Sequence, residues 1–241
     1  MNNKYLHTYT SVDCVVFGFD YENQLNILLA ERFIDGDSIQ KQQKLPGSLV
    51  FNSEDVDDAA YRVMEELTGI KKVVLKQFRC FADPNRSSNK EDIQWMDKEY
   101  KPNIDRIITV AYLYLCKIDH KINSSKYDTV EWCPVDRIPN LPFDHNKIIS
   151  ESLIEIRKWI DSDFSIIFEL LPKKFTIRQL YQLYSAVSEK SIDIKNFHKK
   201  ISSFNFIVPL DEIEKNVAHR AARFYRFDSK LFKKNNTKLI K

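Results

Sequence analysis

The sequence contains no run of about 18 apolar residues, the length a helix needs to cross a bilayer, so a membrane protein is not expected. Its first residues, MNNKYLHTYTS, lack the hydrophobic core of a secretory signal, and a cytoplasmic location is the expectation. Cysteine is sparse. Cys14, Cys80, Cys116 and Cys133 are scattered, fit no metal-ligand spacing, and read as small hydrophobes in a reducing compartment. No metal and no cofactor is expected.

What is present is a chain of 241 residues, 43% hydrophobic, enough for one large or two modest cores. The net charge of +3 hides an asymmetry: residues 164–241 hold 16 Lys and Arg against 7 Asp and Glu, whereas residues 1–163 hold 21 against 27. A mildly acidic first domain, 1–163, followed by a basic second domain, 164–241, suggests that the second meets nucleic acid. A solvated basic face is the plainer alternative.

The most informative stretch is 45–70, LPGSLVFNSEDVDDAAYRVMEELTGI. It reads as a tight loop at Gly47 leading into one helix, with Ser53 as N-cap and Glu54 and Asp55 in the first turn. Val56, Ala59, Ala60, Val63 and Leu67 recur at helical spacing, and Gly69 is placed to end the helix in a left-handed conformation. Asp58, Arg62 and Glu66 stand four apart and suit a surface ladder.

This stretch resembles the Nudix box, the loop-helix signature of hydrolases that cleave nucleoside diphosphates linked to another group. The box's first glycine falls on Ser48, its first glutamate on Glu54, its arginine on Arg62, and its closing glycine and aliphatic on Gly69 and Ile70. The departures fall on the chemistry. The glutamate after the arginine is Val63, and the final glutamate pair is Glu66 followed by Leu67. Such hydrolases need several carboxylates on one helix face to hold Mg²⁺, an oxygen-seeking octahedral ion. Glu65 lies about 100° round the helix from Glu66 and does not rebuild the cluster. A Nudix fold without catalytic residues is the expectation.

The rest of the first domain reads as strands over YTSVDCVVFG, LNILLAERF, VVLKQFRCFADP, ITVAYLYLCKI and TVEWCPV, then a helix from about Asp144 to Ile160. IDGDSIQKQQ reads as a mobile loop. An insertion at 85–106 is polar yet carries Trp95, Met96 and Tyr100, and long loops in compact domains tend to be functional or disordered. An aromatic face among charged groups is how proteins hold sugars; packing of Trp95 onto the sheet is the alternative. The charged groups at sheet ends, with the insertion, give the candidate ligand set: Lys4, Thr10, Glu31, Lys44, Trp95 and Asp97.

Residues 164–241 read as a winged helix-turn-helix: FSIIFELLP, then FTIRQLYQLYSAVS with Thr176 as N-cap, then IDIKNFHKKISSF as recognition helix with Asp193 as N-cap and Ile194, Phe197 and Ile201 turned inward. IVPLDEI and RAARFYRFD form the wing, joined by EKNVAH. Candidate DNA contacts are Thr176, Arg178, Lys195, Asn196, His198, Lys199, His219, Arg220 and Arg223, the groups that clamp phosphates and read base edges.

The fold class expected is therefore α+β, a Nudix-like α/β/α sandwich followed by a winged helix-turn-helix. The phrases Glu131-Trp132-x-Pro134 to Phe143-Asp144-His145, L-L-P-x-x-F-T and R-A-A-x-F-Y-x-F-D resemble Nudix-related transcriptional regulators (NrtR/AraR-like) over about Tyr9 to Asp228. The resemblance implies a homodimer on palindromic operator DNA that lets go when a small molecule binds. One branch senses ADP-ribose and controls NAD synthesis; another senses a pentose. The long insertion and the lost carboxylates look closest to the second, the L-arabinose-responsive branch, implying a repressor of sugar-utilisation genes. The rivals are the ADP-ribose sensor, an active Nudix hydrolase with a nucleic-acid-binding domain, and a protein-interaction module.

Overall fold

A computed structural model describes residues 9–20, 24–34, 40–69, 74–100, 106–118, 130–188, 193–215 and 221–239. Contacts divide the chain into two compact units: Met1–Phe17 with Asn26–Tyr114 and His120–Glu155, and Gly18–Leu25 with Leu115–Asp119 and Ile156–Lys241.

The first unit is built on strands β1 (Tyr9–Phe19), β2 (Leu25–Ile34), β3 (Gln40–Lys44), β4 (Gly47–Leu49), β5 (Lys76–Phe81), β6 (Ile107–Lys117) and β7 (Val130–Pro134). They form one seven-stranded sheet in the order β3-β2-β1-β6-β5, with β4 added on β1 and β7 on β2. Val12, Cys14, Val15, Val16 and Phe17 of β1 are all buried, as suits a central strand covered on both faces. Burial pushes the Cys14 thiol up, so it is an unreactive core residue. The one charge inside that apolar run is Asp13.

Helix α1 (Val56–Thr68) buries Ala59, Ala60, Val63 and Leu67 of the expected stripe and adds Met64, while Val56, expected on that face, is only half-buried in the first turn. Its N-cap is Asp55, not Ser53: the Asp55 carboxylate accepts from the Asp58 N–H at 2.8 Å. That leaves Asp57 and Asp58, rather than Glu54 and Asp55, in the first turn. Gly69 ends the helix at φ 70°, as its position predicts.

Two readings of loops are overturned. Residues Gln40–Gln43, read as part of a mobile loop, lie in β3, which pairs antiparallel with β2 from Ala30↔Lys44 to Ile34↔Gln40. Their polar side chains mislead because an outer strand is held by its backbone. The insertion carries helix α2 (Lys90–Glu99), capped by Asn89 accepting from the Glu91 N–H at 3.1 Å. Helix α3 spans His145–Ser162.

In the second unit a 3-10 helix (Phe164–Glu169) precedes β8 (Phe175–Thr176), α4 (Ile177–Ser188), α5 (Ile194–Ser202), β9 (Ile207–Ile213), β10 (Arg223–Phe227) and α6 (Ser229–Leu239). The strands form an antiparallel sheet in the order β8-β10-β9. Its core is aromatic: Phe168 stacks on Phe227 at 4.2 Å and Phe204 on Phe206 at 4.9 Å between ring centres. Asp193 caps α5 by accepting from the Asn196 N–H at 2.8 Å. Phe197 and Ile201 are buried, whereas Ile194, expected inward, is 45% exposed in the first turn. Among the described residues no helix is long and apolar enough to cross a membrane.

Candidate functional site

Gly47 matters less for a turn than for a close approach. A Cβ there would stand 2.3 Å from Asp13 Oδ1 and 2.7 Å from the Val12 carbonyl oxygen, so only glycine lets β4 lie against β1 beside the carboxylate. Above that contact opens a pocket of about 40 Å³, walled by Trp95, Tyr100, Phe143, Ile107 and Leu49 and floored by Ser11, Asp13, Lys44, Arg86 and His145.

The floor is a lattice of buried ions. Arg86 donates to Asp144 Oδ1 from Nε at 3.1 Å and from Nη2 at 2.8 Å, and its Nη2 lies 3.5 Å from Asp13. The ammonium of Lys44 donates to the Gly47 and Leu45 carbonyls at 3.1 and 3.3 Å and lies 5.9 Å from the Trp95 ring centre. Burial pushes the Asp13 carboxyl above its ordinary range, against the pull of Arg86 and Lys44. The Leu45 N–H donates to His145 Nδ1 at 3.0 Å, so the ring proton is on Nε2, which faces Asp13 Oδ1 at 3.5 Å.

Burial, then the nearby Lys44 and Arg86 cations, hold His145 well below the usual histidine range. The folded ring stays neutral, while the unfolded chain takes up a proton below about pH 6.5. Stability therefore falls on acidification from about pH 6.5 towards the folded value, by up to ~1.4 kcal/mol per pH unit. Thermal melts at pH 7.5 and 5.5 check this: His145→Gln is expected to narrow the wild-type difference by several degrees, and an equal drop in both proteins would reject the assignment.

The wall comes from α2. Asp92 is its anchor: the carboxylate accepts from Arg32 Nη2 at 2.6 Å and from the Phe143 N–H at 2.9 Å. Both side chains of the Arg32–Asp92 pair are 2% exposed. The Arg32 guanidinium lies 5.3 Å from the Trp95 and Phe143 ring centres. Phe143 adopts φ 55°, a left-handed conformation unfavourable for an aromatic residue, which its Asp92 bond and its neighbours Trp95 and His145 hold in place.

Of the ligand candidates from the sequence, Lys44 and Trp95 line this pocket. Thr10 lies one residue short of it, its carbonyl accepting from the Val50 N–H. Glu31 is buried on β2 and pairs with Lys41. Asp97 is half-buried on α2 and is not among the lining residues, and Lys4 lies outside the described residues. Asp13, Arg86, Tyr100, Phe143 and His145 were missed. The sequence does carry a signal for Asp13, a lone charge in an apolar strand, and for His145, the end of the F-D-H phrase.

The Nudix helix presents no matching metal face. Val63 and Leu67, at the positions where the box has glutamates, are buried in the core. The Glu66 side chain is 58% exposed and meets Arg62 at 3.4 Å. Arg62 pairs more closely with Glu54, at 2.5 Å, bonds the Leu49 carbonyl at 3.0 Å, and lies 3.8 Å from the Phe51 ring centre. It tethers the preceding loop rather than serving an i, i+4 ladder alone. The residues present do not fit Mg²⁺, and among the described residues no group of three or more His, Cys, Asp or Glu could hold a metal.

In the second unit Lys195, Asn196, His198 and Lys199 are exposed on α5, as are Arg178 on α4 and Arg223 on β10. Thr176 is not available to DNA: it is 2% exposed, and its hydroxyl accepts from the Gln179 N–H at 3.2 Å while Gln179 Oε1 accepts from the Thr176 N–H at 2.9 Å. That is a capping box, so the N-cap expectation holds and the contact expectation fails. His219 and Arg220 lie outside the described residues.

Comparison with known proteins agrees with this layout. A sequence profile of the NUDIX domain matches residues 7–153, and one of the NrtR DNA-binding winged helix domain matches residues 167–227. No curated protein sequence matches the chain. A MutT/nudix family protein from Enterococcus faecalis is 20% identical over 95% of this chain and 89% of that one, with a TM-score of 0.65. Shewanella oneidensis NrtR complexed with a 27mer DNA is 19% identical over 92% and 94%, with a TM-score of 0.64. The NUDIX domain of that NrtR complexed with ADP ribose is 19% identical over 65% and 93%, with a TM-score of 0.46. At these identities the likeness is one of fold. The winged-helix profile is that of NrtR, and the arabinose branch expected from the sequence finds no counterpart among these relatives. The chain belongs to the NUDIX family, in the arrangement that joins a NUDIX domain to an NrtR-type winged helix.

Proposed function

We propose that this chain is an effector-controlled transcriptional regulator, a homodimer that binds operator DNA through its winged helix and senses a small molecule in the NUDIX-domain pocket without hydrolysing it. The observation that carries the reading is the fate of the family's acidic positions: Val63 and Leu67 are buried in the core, while a separate pocket keeps buried charges against an aromatic wall. Aromatic faces over C–H groups with ionic partners for hydroxyls suit the cyclic form of a pentose. ADP-ribose and free L-arabinose both present such a ring. ADP-ribose is the first effector to test, because it is the ligand complexed with the NUDIX domain of Shewanella oneidensis NrtR. L-Arabinose, and with it control of sugar-utilisation genes, is the second arm.

Whichever binds, repression is relieved only if the ligand prefers the DNA-incompetent state; equal affinity for both states shifts nothing. The test starts with a duplex selected by the protein from a random library, followed by mobility shifts with ADP-ribose or L-arabinose. Release by one and not the other assigns the effector. Failure to select any duplex overturns the regulator. Phosphate-ester products from ADP-ribose and Mg²⁺ would instead make the chain a hydrolase.

A further inference from the structure

Helix α6 lies beyond residues 167–227, the span that matches the winged-helix profile. It is also the most one-sided stretch of charge in the chain: residues 229–241 contain five lysines, Lys230, Lys233, Lys234, Lys238 and Lys241, and no acidic residue. We propose that α6 is a second DNA-contacting element, whose lysines bind backbone phosphates beside the groove entered by α5.

The helix is fixed in place, not a loose basic tail. Asp228 caps it, accepting from the N–H groups of Lys230 and Leu231, both at 3.1 Å, and from Arg226 Nη1 at 3.0 Å. Phe232 packs edge-on against Phe206 at 5.0 Å and against Phe227 at 5.7 Å between ring centres. Lys230, Lys233 and Lys234 stand exposed, at the i, i+3, i+4 spacing that shares one face.

The same aromatic cluster receives the end of α5. The Ser203 N–H caps that helix on the Lys200 carbonyl, and the chain then runs through Phe204 to Phe206, which stack on each other. The Asp228 N–H donates to the Phe206 carbonyl at 2.8 Å, so α6 begins beside the exit of the recognition helix. Lys199 and Lys200, in the last turn of α5, and Lys230, Lys233 and Lys234 thus flank one aromatic cluster. An eleven-residue helix is about 16 Å long, and a DNA strand offers a phosphate about every 3.4 Å, so α6 can meet two or three phosphates. By contrast β9 carries Asp211 and Glu212, which suits it poorly to the backbone. The regular lysine face, built on a capped and packed helix, is complementary to a duplex backbone.

This inference rests on the winged helix binding DNA, and the test separates the two. The full chain and its K230A/K233A/K234A variant are titrated with the selected duplex from 50 to 300 mM salt. Each lost phosphate contact should flatten the slope of log K against log salt by about 0.9, so with two or three contacts from each α6 of the dimer a reduction of roughly 4–5 is expected. At fixed salt the ratio of selected to mixed-sequence affinity should stay within about twofold, because phosphate contacts do not read bases. Hydroxyl-radical footprints should lose protection at the flanks and keep it at the centre. An unchanged slope and footprint, with the wild type binding normally, would make α6 a solvated surface and overturn the proposal alone. A wild type that ignores duplex DNA would overturn both readings.

Discussion

Replacing Arg86 by methionine should lower folding stability by about 3–5 kcal/mol, the cost of breaking a buried ion pair from one side. The Arg86 side chain is 3% exposed, and it holds the Asp144 and Asp13 carboxylates together while its Nη1 reaches the Ile107 carbonyl at 3.4 Å. Methionine keeps most of the volume and leaves two carboxylates buried without their common cation. Burial already holds the Asp13 carboxyl above its ordinary range, and Arg86 pulls it down. Without Arg86 it rises further, so the folded variant binds a proton that the unfolded chain releases near pH 4. Stability of the variant then falls as pH rises through that window, and the deficit against wild type should be larger at pH 8 than at pH 5. Urea unfolding at the two pH values reads this directly. A deficit under 1 kcal/mol, or one independent of pH, would mean that the lattice is solvated rather than buried.

The sequence disclosed its elements where side chains and periodicity agreed. The apolar runs of β1, β2 and β6, the stripe of α1 ending at Gly69, and the Asp193 cap of α5 all follow from local chemistry. It concealed elements whose stability is not written in apolar side chains. Strand β3 is QKQQK and owes its place to pairing with β2. Helix α2 buries only Met96 and a carboxylate, Asp92, whose partner Arg32 lies 60 residues earlier, so no window around 90–99 contains the reason for its placement. Helix α6 is nearly all polar and is held by Phe232. The site followed the same rule. Lys44 and Trp95 were legible as odd residues in their surroundings, whereas Arg86 and Asp13 acquire meaning only when β1, the insertion and the start of α3 converge. Thr176 shows the opposite error: a hydroxyl at the start of α4 is spent on the cap.

That convergence makes Trp95 the most telling residue for function. Its indole stands between Tyr100, at 5.6 Å, and Phe143, at 6.2 Å, facing the Lys44 ammonium across the pocket. Buried tryptophans carry a large share of binding energy, so Trp95→Ala should cost the effector about 2 kcal/mol or more, roughly a 30-fold weaker affinity. Calorimetry with ADP-ribose and with L-arabinose measures it, and the operator complex of the variant should resist release at concentrations that free the wild type. DNA affinity without ligand should be unchanged, because Trp95 belongs to the NUDIX domain and not to the winged helix proposed to meet DNA. Since truncation could loosen α2, Trp95→Phe serves as the second variant: it keeps an aromatic wall and should retain more of the effector affinity than alanine does. Lys44→Met, which removes the charge and keeps the stem, should weaken the ligand without altering the aromatic wall. An effector bound equally well by Trp95→Ala and Lys44→Met lies elsewhere on the NUDIX domain, and the pocket under α2 is then a packing feature rather than a sensor.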